Sequence, residues 1–199
     1  NFRAPTFNDL YYPGYSNSNL KSETSKNSEI FVEHSNNLQK TRLTTYQSDI
    51  KDKIQNDKNY IPQNIAEAKI KGVNLKSDWN INNLLFGFNY DYTNAEDKAT
   101  GLQLTYQPKN KGIVYLGYQQ PKYDIRTELQ YVGERYRDAN NSQTLDSYTL
   151  LNLTGNYYVS PNLTISSRLN NLTDKDYETV YGYRQKGINS FVSLTYQWF

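Results

Sequence analysis

Cysteine and methionine are absent from this chain of 199 residues, and histidine occurs once. A disulfide framework and a thiolate metal centre are thereby excluded. No run approaches the ~20 apolar residues that a spanning helix needs, so a transmembrane helix is excluded as well. Charge of one sign is also missing: the net charge is +2 and the lysines are scattered, which argues against a nucleic-acid partner. Only 36% of the chain is apolar, less than a closed, water-soluble core of this length usually takes.

What is present is alternation. Leu84, Phe86, Phe88, Tyr90 and Tyr92 stand against Leu85, Gly87, Asn89, Asp91 and Thr93, and a period of two means a strand whose two sides meet different environments. The same pattern predicts strands over 23–34, 38–50, 66–79, 83–93, 111–119, 123–135, 147–158, 163–171 and 187–199, with a partial strand over 1–4. Short connections fall near 35–37, 80–82, 120–122 and 160–162; long polar ones run through 8–24, 52–64, 95–109, 138–146 and 173–186. Long loops at one end and short turns at the other are the pattern of an antiparallel, up-and-down transmembrane β-barrel. Such a barrel tolerates low hydropathy because only the lipid-facing half of each strand must be apolar. The 20 tyrosines suit the aromatic girdles at the two membrane interfaces. A tyrosine-rich all-β soluble or surface-anchored binding or adhesion protein is the alternative that composition leaves open.

Outward rows are Val114, Leu116, Tyr118; Ile125, Leu129, Tyr131; Leu151, Leu153, Tyr157; Leu163, Ile165, Leu169; and Val192, Leu194, Tyr196, Trp198. The opposite rows carry Arg126, Glu128, Gln130 and Thr164, Ser166, Arg168, which suit a hydrated lumen. The terminus Val192, Leu194, Tyr196, Trp198, Phe199 is similar to the assembly signal of bacterial outer-membrane barrels, which lies on the periplasmic side. Every long loop is then extracellular. The chain opens on Asn1-Phe2 as if in mid-strand, and the expectation is a mature or excised segment whose first and last strands pair, within one copy or between copies, when it stands alone.

Asn1-Phe2-Arg3-Ala4-Pro5-Thr6-Phe7-Asn8-Asp9-Leu10-Tyr11-Tyr12-Pro13 and Asn19-Leu20-Lys21-Ser22-Glu23 resemble the entry of TonB-dependent receptors into the last strands of their barrel. Ala68-Lys69-Ile70-Lys71-Gly72-Val73-Asn74-Leu75 is similar to the family's "kiqGvEl" strand, with Asn74 where Glu is usual. The stretch from Asn170-Asn171-Leu172-Thr173-Asp174-Lys175-Asp176-Tyr177 to Tyr183 resembles the element before the last strand, most closely in the vitamin B12 (cobalamin) transporter branch. The resemblance implies that residues 1–199 are one C-terminal segment, about the last ten strands of a 22-strand barrel. It further implies a bacterial outer-membrane location and uptake of a scarce nutrient driven by TonB, with cobalamin favoured over a siderophore or haem. The implied partners are the nutrient, the TonB complex acting through a plug that is not among these residues, the barrel-assembly machinery and outer-membrane lipid. No enzyme activity, cofactor or metal residue is implied.

Candidate ligand contacts are Tyr183 and then Tyr181, since aromatic faces pack on a bulky corrin while amides and hydroxyls meet its side chains. Their plainer reading is interface-belt tyrosine. Tyr11, Tyr12 and Tyr15 in the first loop are weaker candidates, and Asn140 stands in a loop where an aromatic would add support. His34 beside Ser35 lacks the supporting groups of a hydrolase. Asp174, Asp176 and Glu178 have calcium-like spacing without the glycine and distal Glu of an EF-hand, and read as a loop-start turn. Asn162-Leu163-Thr164 and Asn171-Leu172-Thr173 have the sequon pattern and read here as strand ends.

Overall fold

The computed structural model describes residues 1–57 and 59–198 and, at positions 65 and 66, the backbone alone; Phe199, the last residue of the expected assembly signal, lies outside the described residues. The strands are β1 (Phe2–Arg3), β2 (Glu23–Ser35), β3 (Gln39–Asn56), β4 (Pro62–Ile81), β5 (Leu84–Asp97), β6 (Asn110–Gln120) and β7 (Tyr123–Val132). They continue with β8 (Arg135–Tyr136), β9 (Thr144–Leu145), β10 (Tyr148–Ser160), β11 (Leu163–Asn170), β12 (Glu178–Val180), β13 (Tyr183–Arg184) and β14 (Asn189–Tyr196). Ten of them form one antiparallel sheet in the order β1-β2-β3-β4-β5-β6-β7-β10-β11-β14, while β8-β9 and β12-β13 are separate two-stranded ladders.

The register of the sheet agrees with the faces that the alternation assigns. Phe88 pairs with Val114, Val114 with Leu129, Leu129 with Leu151, Leu153 with Leu169, Ile165 with Leu194 and Leu163 with Tyr196. Paired residues share a face, so one apolar row runs across the sheet. Its members face no second layer: Val114, Leu116, Val192 and Leu194 are 58%, 59%, 69% and 67% exposed. Rings cluster toward the short turns, where Trp79 stacks on Phe86 at 5.8 Å and Tyr196 meets Trp198 edge-on at 4.8 Å, the place of an interfacial girdle.

The opposite face is polar and internally paired. Glu33 receives Lys40 at 3.1 Å and Arg42 at 3.8 Å, and Arg126 meets Glu128 at 3.1 Å. Two tyrosines cross this face over glycines. Tyr46 of β3 lies over Gly72 of β4 to reach the Thr93 hydroxyl on β5 at 2.7 Å, and a Cβ at Gly72 would collide with its ring. Tyr115 of β6 lies over Gly87 of β5 and donates to Asp78 of β4 at 2.7 Å, with the Arg126 guanidinium 3.8 Å from its ring. Glycine is needed at both positions because a side chain would occupy the path of the ring.

Several boundaries differ from expectation. The loop expected over 52–64 is mostly ladder: β3 and β4 pair as far as Asn56 with Pro62, interrupted at Asp52 (φ 53°), and close through Asp57, whose carboxylate takes the N–H groups of Asn59 and Ile61. The strand expected through Arg135 ends at Val132, because Gly133 donates to the Asn110 carbonyl and the chain then leaves the sheet. Helix α1 (Phe7–Tyr11) was not anticipated, although Thr6 and Asp9 form its reciprocal cap. β1 and β14 are the two ends of the sheet, so the expected pairing of first and last strands is not realised within one copy. Barrel diameter grows with strand number, so ten strands of the 22-strand barrel expected from the sequence would not bring the first and the last together.

Leu116→Lys or Leu194→Lys is expected to cost about 2–4 kcal/mol near the midplane, measured by reversible unfolding in lipid bilayers. Thr154→Lys on the polar face should cost far less, and equal losses at the three positions would contradict the assignment of faces.

Candidate functional site

The candidate site is the loop cluster at the end opposite the short turns. Loop 98–109 folds onto the polar face, where Leu104 packs on Ala68 and Ala95 with Ile50 and Ile70 beside them. Its position is held by Tyr106 N–H donating to the Tyr136 carbonyl and by a two-way bond between Gln103 and Asn141. Loop 133–147 is organised by Asp138, whose carboxylate accepts from Asn140 N–H, Ser142 N–H and hydroxyl, and Gln143 N–H. Partial burial acts to raise the Asp138 pKa, but these bonds outweigh it and hold the carboxyl below the ordinary carboxylate value of 3.8.

The loop between β11 and β14 is pinned by Asn171, 2% exposed. Its side chain accepts from Lys175 N–H at 2.8 Å and donates to the carbonyls of Lys175 and Lys186. Its backbone N–H reaches the Asn152 side chain on β10. Arg135, 4% exposed, ties this loop to its neighbour by donating to the carbonyls of Asp146 and Glu178. The Tyr148 and Tyr177 rings meet nearby at 4.4 Å. A cleft of about 290 Å³ opens between the two loops, lined in part by Leu145, Lys175, Tyr177, Tyr181 and Arg184.

The two candidate tyrosines separate here. Tyr181 lines the cleft, 55% exposed, with the Arg137 guanidinium 3.3 Å from its ring centre. Tyr183 sits across the β12-β13 turn, 70% exposed and not on the cleft wall. Tyr11, Tyr12 and Tyr15 form a separate exposed group, with Tyr11 against Phe7 and Tyr12 against Tyr15.

Asp174, Asp176 and Glu178 do not converge. Asp174 accepts from Ile188 N–H, Asp176 pairs with Arg184 at 3.3 Å and Glu178 accepts from Gly182 N–H. Among the described residues no group of three acidic or histidine side chains is arranged to hold a metal ion. Asn162 donates to the Gln197 carbonyl in a short turn, while Asn171 is a loop staple. Arg135, Arg137 and Asn171 were not singled out from the sequence as site residues, since nothing local marks an arginine whose partners are the Asp146 and Glu178 carbonyls or the Tyr181 ring.

Residues 1–172 match the family described as TonB dependent receptor-like, beta-barrel. The chain belongs to this family. As in other TonB-dependent receptors, the barrel lies in the outer membrane of a Gram-negative bacterium. The chain is 35% identical, over 98% of its length, to a protein named vitamin B12 transporter BtuB from Photobacterium profundum. It is 30% identical, over 98% of its length, to the protein of that name from Vibrio vulnificus. It spans about a third of each relative, 34% and 33%. Among solved structures, the ferric enterobactin receptor PfeA of Pseudomonas aeruginosa superposes with a TM-score of 0.78 at 21% identity, over 98% of this chain and 36% of that one.

Asn171→Ala leaves buried loop carbonyls and an N–H without partners and is expected to cost about 1–3 kcal/mol locally, seen as faster proteolysis within 171–188. The depressed Asp138 pKa carries a sign: the stability it lends loop 133–147 is complete above about 3.8 and is lost as pH falls through the lower folded value. Amide exchange at Asn140, Ser142 and Gln143 should accordingly lose protection in acid, and Asp138→Asn should lose it at neutral pH.

Proposed function

We propose that this chain is the C-terminal part of the barrel of an outer-membrane receptor that imports cobalamin with energy supplied through TonB. The observation that carries the reading is the identity to two proteins named vitamin B12 transporter, which extends over nearly the whole chain, loops included. In this reading the 199 residues supply barrel wall, part of the extracellular binding surface and the assembly signal Val192, Leu194, Tyr196, Trp198 and Phe199. The barrel-assembly machinery reads that signal, and outer-membrane lipid surrounds the apolar rows. Energy enters through a plug that these residues do not include.

Cobalamin presents a broad, partly apolar corrin with amide side chains, and the rim offers matching chemistry. Tyr183 at the hairpin turn is the first contact, its ring open to solvent. Tyr181 follows, held flat against Arg137 so that it meets a ligand without first losing rotamer freedom. The alternative cargo is an iron–siderophore complex.

The test is a binding titration of the complete receptor with cobalamin and, separately, with ferric enterobactin. Tyr183→Ala and Tyr181→Ala are each expected to weaken cobalamin binding about 10-fold, the worth of one well-packed ring. Unchanged affinity in either variant removes that residue from the site, and tighter binding of the ferric siderophore than of cobalamin overturns the assigned cargo.

A further inference from the structure

Among the described residues the outward rows of the sheet carry lysines in one place only. Across β2, β3, β4 and β5 successive registered rows read Ile30, Thr45, Val73, Tyr92; then Ser28, Gln47, Lys71, Asn94; then Lys26, Asp49, Lys69, Glu96. One step higher, Thr24 pairs with Lys51 and Lys51 with Glu67, which meets Lys98 at 2.9 Å. The outward rows of β6, β7, β10, β11 and β14 contain neither lysine nor arginine. From Ile81 to Val73 the apolar row of β4 rises about 20 Å, for a strand tilted by about 40°, which puts Lys71 near the top of a ~25 Å apolar band.

The acids of this patch take their hydrogen bonds from other groups, although Lys69 stands in register between Asp49 and Glu96 and Lys51 beside Glu67. Asp49 receives Gln47 at 2.6 Å and Lys98 at 3.3 Å, Glu67 receives Lys98, and Glu96 receives Asn94 at 2.7 Å. Among the described residues no carboxylate lies within ion-pair distance of Lys26, Lys51, Lys69 or Lys71. Immediately below runs a groove of about 280 Å³ whose lining includes Ser28, Ile30, Thr45, Gln47 and Lys71. An apolar trough with an unpaired ammonium at its upper end, at headgroup height, has the shape and charge of an acyl chain joined to a phosphate.

We infer that this face binds a phosphorylated lipid of the outer leaflet, with an acyl chain in the groove beside Ile30 and Thr45 and its phosphate on Lys71 and Lys69. Lys26 adds a third ammonium on the β2 side. The site is on the outside of the wall and does not depend on which nutrient the receptor carries. Such a lipid holds the long β2–β5 extension upright at the mouth without occupying the lumen.

The test is a native mass-spectrometry titration of the complete receptor in detergent with lipid A bisphosphate and with the same lipid stripped of phosphate. Lys69→Gln/Lys71→Gln should weaken bisphosphate binding about 30-fold, and Lys71→Gln alone about fivefold, the worth of one lysine at an anionic lipid surface being compounded. Lys111→Gln, on the polar face of β6, should leave it unchanged, and heat-modifiable migration on gels reports that each variant is folded. If the double variant does not fold, Lys71→Gln decides. Equal affinity in wild type and the folded Lys71→Gln variant, equal loss in Lys111→Gln, or equally tight binding of the stripped lipid would each overturn the inference. So would inorganic phosphate bound with the same lysine dependence and no need of an acyl chain.

Discussion

Hydrocarbon offers backbone N–H and C=O groups no partner, and this requirement shapes the rest of the structure. Every spanning strand must lie between two others, and from β3 to β11 each strand of the ladder β1-β2-β3-β4-β5-β6-β7-β10-β11-β14 does so, while β14 and most of β2, which meets the short β1 only at Glu23 and Thr24, are paired on one side. Where both edges of a strand are used, side chains have two directions, lipid and lumen. The alternation of Phe86 with Gly87 and Phe88 with Asn89 is the covalent form of that division.

Water decides where ordinary burial reappears. Along the spanning part the apolar row is driven outward to lipid, and the polar face holds itself by ion pairs and by Tyr46 and Tyr115 laid across glycines. Once the strands rise beyond the membrane the sign reverses. There Ala68, Ala95 and Leu104 form a small buried cluster on the inner face, because a loop surrounded by water gains by covering apolar surface. The residues beneath Leu104 are small, and a larger side chain would keep loop 98–109 from lying down. The loop end is therefore built by two kinds of force: local burial for this loop, and buried polar staples, Arg135 and Asn171, for the pair that frames the cleft.

Strand faces and the short turns were legible because both rest on local chemistry. Asn82, with φ 55°, closes a two-residue turn where Ile81-Asn82-Asn83 already breaks the alternation. The cap Thr6–Asp9 is equally local, but it spans a single turn beside a much longer β pattern. The length of β3 and β4 was not legible, since residues 52–64 are polar on both sides and look like loop. Pairing with one another keeps them extended, helped by Glu23 on the Ile54 N–H and by Asn17 and Lys21 of the first loop on Pro62 and Asn64. Within the mouth, Tyr181 and Tyr183 stood out as aromatic residues in a loop, but two positions apart they have different surroundings: one is covered by Arg137 from another loop, the other is open.

By itself the sequence determined the fold class, the side each strand residue takes and the end at which the long loops gather, because period two and turn residues act between neighbours in the chain. The tertiary structure alone decided which loops touch, which lysines lack a carboxylate and whether the ladder closes. Those depend on register summed over several strands and on distances between residues far apart in sequence, such as Arg135 to Glu178 or Lys98 to Asp49. A one-residue slip in any pairing would leave the composition unchanged and exchange the two faces of that strand.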